Sequence, residues 1–173
     1  MKHDFSPYRN KVFIETGTYV ADGVKAAFAA DCFRRIISIE ASSHYFDISV
    51  ERCKDLPNVE LYYGESAEIL PNILKDITVN CTFWLDAHYC GDYTSGTFAT
   101  VPLMKELDII AQHPVKTHTI LIDDMRLLRK ATREWQVDYG VNDIILKLLS
   151  INKDYRVSFD KGVTKDDILI VQP

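Results

Sequence analysis

The sequence predicts a doubly wound α/β fold, in which helices cover both faces of a mostly parallel β-sheet. Short apolar runs rich in β-branched and aromatic residues alternate with helix-sized amphipathic intervals through most of the chain. The runs are apolar almost throughout, which is typical of parallel strands buried on both faces. The chain ends in two successive strand-like runs, and these predict a terminal antiparallel hairpin.

The alternating part of the chain supplies the parallel strands and the helices between them. Strands are predicted at KVFIET (11–16), RIISIE (35–40), VELYY (59–63), CTFWLD (81–86) and HTILID (118–123). Helices are predicted over residues 23–30, 43–54, 66–75 and 101–112, where apolar residues recur every three or four positions. A helix at 142–151 precedes the hairpin strands YRVSF (155–159) and DILIVQ (167–172), which flank the turn-like DKGVTKD.

Length and composition indicate one globular domain over residues 1–173. The chain is 47% hydrophobic and 26% charged, which excludes the disordered and fibrous classes. Its formal net charge of −5 argues against a general nucleic-acid binder, because phosphate neutralisation needs clustered Lys and Arg. The N-terminal MKHDFSPYRN lacks the apolar core of a signal peptide, and no run approaches the ~20 apolar residues of a membrane span. We therefore expect a cytoplasmic protein with no membrane partner.

The cysteines are predicted to be reduced and mostly buried. Cys32, Cys53, Cys81 and Cys90 show no CxxC spacing and lie in or beside apolar segments. Neither a zinc site nor a disulfide is indicated.

Three segments at strand ends predict a nucleoside-binding half of the fold. In an open α/β sheet, ligands bind outside the carboxyl ends of the strands. The first turn is ETGTYVADG (15–23), where Gly17 permits close approach to a ligand and Gly23 lets the next helix start near the strand. Glu40 ends the second strand and can accept both hydroxyls of a ribose. GES (64–66) follows the third strand, where a polar residue can reach an adenine edge. The alternative is that these are structural glycines and surface carboxylates.

A second group of residues, at the ends of the fourth and fifth strands, predicts a cation-binding site with a histidine beside it. Asp86 and His88 in FWLDAHYC share one face if strand geometry persists, and Asp123 and Asp124 end the neighbouring strand. Carboxylates gathered at one edge repel one another, and a bound cation relieves the repulsion. All-oxygen ligands favour a hard divalent ion such as Mg²⁺. The alternative roles are a capping or core histidine and carboxylates that cap a loop.

The element order and these segments resemble the class I S-adenosylmethionine-dependent methyltransferases over nearly the whole chain, with their Rossmann-like, seven-stranded sheet and C-terminal antiparallel hairpin. The acidic positions resemble the metal-dependent O-methyltransferases that act on sugar hydroxyls, the macrocin O-methyltransferase-like group. The resemblance implies that Mg²⁺ or Mn²⁺ binds Asp86, Asp123 and Asp124, and that His88, where many members have aspartate, is the general base alongside Asp86. It implies S-adenosylmethionine contacts from Glu15, Gly17, Thr18, Gly23, Glu40, Ala41, Glu65, Ser66 and Asp86.

The acceptor is predicted to lie between the loop 89–100 and the segment 125–140. Trp135 can stack on a sugar face, and Arg126, Arg129 and Arg133 can meet hydroxyls or an acidic group, although these arginines fit a solvated helix face equally well. The few residues before the first strand suggest an open site. Such a site suits a glycan, or a partner domain or second subunit that closes it.

Four alternatives remain at this stage. A catechol-like acceptor satisfies the same metal geometry, and a methyltransferase-like module can bind a nucleoside without chemistry. DAH and SFD also resemble the metal motifs DAHxD and SFDxD of arginase-like hydrolases, but Cys90 and Gly162 replace their second aspartates. A nicotinamide-dependent dehydrogenase is disfavoured because GxGxxG is missing.

Overall fold

The computed structural model describes residues 3–88, 101–129 and 135–173. These residues form a seven-stranded sheet whose strands are β1 (Val12–Thr16), β2 (Arg35–Glu40), β3 (Val59–Tyr63), β4 (Cys81–Leu85), β5 (Thr119–Ile122), β6 (Arg156–Asp160) and β7 (Ile168–Gln172). The helices are α1 (Asp22–Ala29), α2 (Ser43–Cys53), α3 (Ser66–Lys75), α4 (Leu103–Gln112), α5 (Met125–Arg129) and α6 (Val141–Ile151), and a 3₁₀ turn spans Ser6–Tyr8.

The strand order of the sheet is β3-β2-β1-β4-β5-β7-β6. The first five strands are mutually parallel, and β7 runs antiparallel between β5 and β6. The chain moves outward from β1 to β3 and then returns to place β4 on the other side of β1. This reversal opens a crevice at the carboxyl ends of β1 and β4, where ligands bind in folds of this class.

Two apolar clusters, one on each face of the sheet, form the core. Ile14 and Phe83 pack with Leu107 of α4 on one face, and Phe13 and Trp84 pack with α1 and the N-terminal turn on the other. Every residue of β1 and β4 is buried, as expected for central parallel strands covered on both faces. The predicted α/β class, parallel sheet and terminal hairpin are confirmed.

The structure differs from the predicted elements mainly at their ends. The fourth strand ends at Leu85, so Asp86 and His88 leave the sheet, and their positions follow from loop geometry rather than from strand alternation. Pro102 precedes α4 as its N-cap, so this helix begins at Leu103 rather than at residue 101. The helix α5 and the 3₁₀ turn were not predicted, because five and three residues are too few to show a helical period.

Two further observations concern the expected thiols and membrane segments. Cys32, Cys53 and Cys81 are free thiols, while Cys90 lies outside the described residues. Within residues 3–88, 101–129 and 135–173, no helix has the length and apolar character needed to cross a bilayer.

Candidate active site

Backbone hydrogen bonds continue beyond the strands and align the site segments at one edge of the sheet. Asp86 N–H donates to the Thr16 carbonyl at 3.1 Å, and Asp123 N–H donates to the Leu85 carbonyl at 3.2 Å. Gly17 N–H likewise donates to Ile39 O at 2.9 Å. The residues that follow β1, β4 and β5 are therefore held side by side, as their places at parallel strand ends predict.

Gly17 and Gly23 allow the first βα turn to fold tightly. Gly17 has φ +84°, and a Cβ there would lie 2.6 Å from the Asp86 carbonyl oxygen. A Cβ on Gly23 would lie 1.8 Å from Glu15 Oε1, so a side chain there would have to displace the buried Glu15 carboxyl group. Gly23 therefore packs against the Glu15 side chain, and the close approach at Gly17 is made by the backbone that follows β4.

Glu40 is held rigidly by the backbone at the end of β2. Its Oε2 accepts a hydrogen bond from Tyr19 N–H at 2.7 Å, and its Oε1 accepts one from Ser42 N–H at 2.8 Å. Burial raises the pKa of Glu40, and these two backbone donors act in the opposite direction. Each carboxylate oxygen keeps a second lone pair that a ligand hydroxyl can use.

A cavity of about 350 Å³, here called the nucleoside cavity, opens at the carboxyl ends of the strands. Its volume lies in the range of small-molecule sites, roughly 300–1,000 Å³. Of the predicted cofactor residues, it is lined by Gly17, Glu40, Ala41, Glu65, Ser66 and Asp86. Gly64 of the GES segment also lines it, whereas the lining residues Tyr19, Ile39, Tyr45 and Pro102 could not be singled out from the sequence because they have no distinctive spacing.

A second cavity of about 210 Å³ adjoins the first and contains the other predicted cofactor residues, Glu15, Thr18 and Gly23. Glu15 is 1% exposed and accepts a hydrogen bond from Ser38 Oγ at 2.5 Å. Burial raises the pKa of Glu15 to about 8, against the effect of the Ser38 hydroxyl. Glu15 is therefore a buried, mostly protonated acid at neutral pH unless a cation reaches it.

His88 connects the two carboxylates that follow β4 and β5. Its Nδ1 lies 3.0 Å from the Asp86 carbonyl oxygen and 3.6 Å from Asp86 Oδ1, and its Nε2 lies 3.2 Å from Asp124 Oδ2. Burial lowers the pKa of His88, partly offset by the charge of Asp124. Burial and the charges of Asp123 and Asp124 raise the pKa of Asp86.

Asp124 also has a second partner, the guanidinium of Arg126. Nη1 of Arg126 bridges Asp124 and the fully buried Asp167, with 2.7 Å to Asp167 Oδ2. Asp123 lies beside this group, where burial and the charge of Asp124 raise its pKa to about 6. Two groups of three side chains have possible metal-ligand atoms within 4.8 Å of one another. One group is Asp86, His88 and Asp124, and the other is Asp123, Asp124 and Asp167. The three predicted metal ligands are thus divided between two overlapping sets.

Ser66 is positioned by Glu106, a residue that no sequence pattern indicates. Its hydroxyl donates to Oε1 of Glu106 on α4 at 2.5 Å, and Glu106 is 1% exposed. Burial raises the pKa of Glu106 to about 7, against the effects of the Ser66 and Thr16 hydroxyls. No local pattern could have found this contact, because the two residues are 40 positions apart in the chain.

The residues predicted to contact an acceptor lie in different environments. Trp135 is 4% exposed, and its ring centroid is 5.3 Å from that of His88, so it packs beside the site rather than in solvent. Arg129 lies over the Phe159 ring and donates to the Asp166 carbonyl, while Arg126 is committed to Asp124 and Asp167. Arg133 and the loop 89–100 lie outside the described residues.

The geometry does not bring together the two motifs shared with arginase-like hydrolases. The SFD motif ends β6 at Asp160, and DAH follows β4. Two strands, β5 and β7, separate them in the sheet, which puts them roughly 14 Å apart at ~4.8 Å per strand. The two motifs therefore cannot ligate one metal centre.

Comparison with solved structures agrees with this architecture. The S-adenosylhomocysteine-bound methyltransferase PaMTH1 of Podospora anserina is similar with a TM-score of 0.63 and 14% identity, over 94% of this chain and 71% of that chain. The O-methyltransferase TomG of Streptomyces achromogenes, involved in tomaymycin synthesis and solved with S-adenosylmethionine, gives 0.58 and 13%, over 97% and 75%. The chain has the class I methyltransferase fold.

A third structure with the methyltransferase fold supports the same conclusion. The S-adenosylmethionine-dependent methyltransferase of Aquifex aeolicus gives a TM-score of 0.55 at 14% identity, over 94% of this chain and 81% of that chain. No protein-family model matches the sequence, and no curated protein shows significant similarity to it. At these identities the comparisons establish the methyltransferase fold, and the function is argued from the site.

Proposed function

We propose that the chain is an S-adenosylmethionine-dependent O-methyltransferase that methylates a sugar hydroxyl with the help of a divalent cation. One observation carries this proposal. A single cavity is lined at one side by Glu40 and at the other by Asp86, His88 and Asp124. The cavity therefore combines a carboxylate suited to a ribose with an acid–imidazole cluster suited to proton transfer.

The residues of the nucleoside cavity fit the adenosine part of the cofactor. Both Glu40 oxygens are fixed by backbone N–H groups and can each accept one hydroxyl of a ribose diol. Tyr19 and Tyr45, whose ring centroids are 4.3 Å apart, form an aromatic wall beside this carboxylate. Ser66, oriented by Glu106, is available to the adenine edge.

The donor set beside the cofactor residues fits a hard cation. A backbone carbonyl only accepts hydrogen bonds, so the contact with Asp86 O assigns a proton to Nδ1 of His88. A neutral His88 then points an Nε2 lone pair at Asp124 Oδ2, and two acceptors at 3.2 Å need a proton or a cation nearby. Mg²⁺ or Mn²⁺ would meet this need, and the resemblance assigns it to Asp86, Asp123 and Asp124, which the structure divides between two sets that share Asp124. Arg126 is the competing partner of Asp124.

The chemistry divides between the bound groups and the chain. S-adenosylmethionine supplies an activated methyl group, and the divalent cation makes an acceptor hydroxyl more acidic. Asp86 holds His88 through its carbonyl, and Nε2 of His88 takes the proton of the acceptor hydroxyl. Trp135 packs beside the imidazole ring and covers one side of it. The chain thus contributes mainly orientation and one proton-transfer site.

The sugar acceptor is supported by the resemblance of the Asp86, Asp123 and Asp124 positions to the metal-dependent sugar O-methyltransferases. The test is methyl transfer from labelled S-adenosylmethionine to free sugars, glycans and catechols, with Mg²⁺ or Mn²⁺ and with a chelator. We expect transfer to a carbohydrate hydroxyl that stops when the metal is chelated. Transfer to catechols alone would overturn the acceptor class, transfer unaffected by chelation would overturn the metal, and cofactor binding without transfer to any acceptor would favour a binding module.

A further inference from the structure

The outer strand of the sheet, β6, has one edge without a partner among the described strands. It pairs with β7 on one side, and the strand order of the sheet ends there. All five residues of β6 are exposed. A strand edge of this kind presents a row of backbone N–H and C=O groups, which a strand of another chain can pair with. The side chains that flank the edge decide which chain fits.

One face of β6 extends the apolar face of the sheet to its rim. Val157 and Phe159 lie opposite Val171 and Leu169 of β7, both of which belong to the apolar core. The two outer residues nevertheless remain 37% and 36% exposed, respectively. A second apolar surface beside this rim would remove more of these side chains from water, which stabilises an association.

The other face of β6 carries two opposite charges placed symmetrically about Ser158. Arg156 lies two residues before this serine, and Asp160 lies two residues after it. Nη2 of Arg156 donates to the Pro173 carbonyl at 3.0 Å, and Asp160 Oδ2 accepts a hydrogen bond from the Tyr8 hydroxyl at 3.5 Å. Within residues 3–88, 101–129 and 135–173, neither charge takes part in an ion pair. Both charges therefore remain available to a partner.

We propose that β6 pairs antiparallel with β6 of a second copy of this chain, about a two-fold axis at Ser158. Arg156 then lies opposite Asp160 of the partner subunit, and Val157 lies opposite Phe159 of the partner subunit. Opposite residues in such a pair have Cβ atoms roughly 4.5–5.5 Å apart, which suits an ion pair. The two-fold axis makes each contact twice, so the same strand supplies both halves of the interface.

The charges favour this register over the alternatives. Parallel pairing in register would place Arg156 beside Arg156 of the partner subunit. Antiparallel pairing shifted by two residues would place Asp160 opposite Asp154 of the partner subunit in one direction, and Val157 opposite Lys161 of the partner subunit in the other. Like charges directly opposite each other destabilise a strand pair, and a buried apolar contact is lost beside a lysine. The arrangement about Ser158 avoids all three mismatches.

This pairing leaves the nucleoside cavity of each copy open. The cavity lies at the carboxyl ends of the parallel strands, and antiparallel pairing of β6 reverses the strands of one copy relative to those of the other. The two cavities therefore lie at opposite edges of the joined sheet. Self-association can accordingly be tested without reference to the proposed function.

The experiment is sedimentation equilibrium of the wild-type chain and of charge variants over a range of protein concentrations. Arg156→Glu and Asp160→Arg each place like charges opposite each other at both ends of the strand pair. The double variant, Arg156→Glu with Asp160→Arg, restores opposite charges in the reversed order. Lys75→Glu, at an exposed position of α3, is the matched control for reversal of a positive charge. Circular dichroism checks that each variant keeps the fold.

We expect the wild type and Lys75→Glu to reach twice the mass of the 19.8 kDa chain. Each single variant of β6 should self-associate at least about tenfold more weakly, and the double variant should recover the wild-type affinity. A wild type that stays monomeric at every concentration would overturn the proposal and leave the edge to a different protein. A wild-type dimer unaffected by Arg156→Glu and Asp160→Arg, or a double variant as weak as the single ones, would also overturn it.

Discussion

Nε2 of His88 lies 3.2 Å from Oδ2 of Asp124, while Nδ1 of the same ring lies 3.0 Å from the Asp86 carbonyl oxygen. The imidazole thus spans the ends of two neighbouring strands, one of which presents a backbone acceptor and the other a carboxylate. The carbonyl fixes the tautomer, so Nε2 is the nitrogen to which the proposed function assigns the proton of the acceptor hydroxyl. This relationship makes His88 the most specific test of the proposed chemistry.

Replacing His88 by Asn should lower the turnover number by roughly 10²–10⁴-fold, the usual contribution of a general base. The affinity for S-adenosylhomocysteine should change little, because the proposed function assigns the nucleoside to Glu40 at the other side of the cavity. The measurement is initial rate at saturating cofactor, together with calorimetry. His44→Asn, at an exposed histidine of α2, is the control and should keep full turnover. Turnover by His88→Asn within about threefold of wild type would refute the assignment.

Removing the guanidinium of Arg126 should destabilise the fold. Arg126→Ala leaves Asp124 and the fully buried Asp167 without their cationic partner, and such a loss costs about 3 kcal/mol of unfolding free energy. Urea denaturation monitored by circular dichroism measures it. Arg35→Ala removes the half-exposed ion pair with Glu60 and should cost under about 1 kcal/mol. Equal losses for the two variants would contradict the buried role of Arg126.

The pair His113 and His118 should make the fold sensitive to acid. Cys81 N–H donates to His118 Nδ1 at 3.0 Å, the two rings share a 2.9 Å contact, and His113 Nε2 lies 2.8 Å from Ile77 O. Burial lowers the pKa of His118 to about 4 from 6.5, so its stabilisation is complete above pH 6.5 and is lost as pH falls towards 4. Between pH 6.5 and 4 the unfolding free energy falls by about 3 kcal/mol.

The measurement is unfolding free energy at pH 7, 5.5 and 4.5 for wild type and His118→Asn. Asn keeps a carbonyl acceptor near the position of Nδ1 but does not titrate, so the variant should show a flatter profile. A variant profile as steep as that of the wild type would show that other groups cause the acid sensitivity.

The contribution of Glu106 to the unfolding free energy should depend on pH in the opposite direction. Its folded-state pKa of about 7 exceeds the ordinary 4.5, so the unfolded chain releases the proton first, and stability falls as pH rises from 4.5 to 7. Glu106→Gln keeps an acceptor for the Ser66 hydroxyl and should be more stable than wild type at pH 8, by up to about 3 kcal/mol, and similar at pH 4.5. Thermal denaturation at both values tests this expectation. A variant less stable than wild type at pH 8 would contradict it.

The predictable part of the site depends on strand ends. Glu40 ends a parallel strand, Asp86, Asp123 and Asp124 follow two others, and the sheet topology brings these strand ends to one edge. The strands could be predicted because central parallel strands are apolar on both faces.

The rest depends on contacts between residues distant in sequence or on short irregular segments. Glu106 reaches Ser66 from another helix, and His3 reaches the cavity from the N-terminal segment, so neither shows a periodic pattern. Asp86 and His88 were expected to lie on one face of a strand, but β4 ends at Leu85. The geometry of the loop after β4 therefore brings the two residues together.

The proposed function requires that Glu40 holds the ribose of S-adenosylmethionine in the nucleoside cavity. The most direct measurement is calorimetric titration of S-adenosylhomocysteine into wild type, Glu40→Gln and Glu68→Gln, the last at an exposed glutamate of α3 outside the cavity. We expect saturable 1:1 binding by wild type and Glu68→Gln, and binding at least about tenfold weaker by Glu40→Gln, because charge-assisted hydrogen bonds to the diol are lost. Absence of binding by the wild type, or equal affinity of Glu40→Gln and Glu68→Gln, would contradict it.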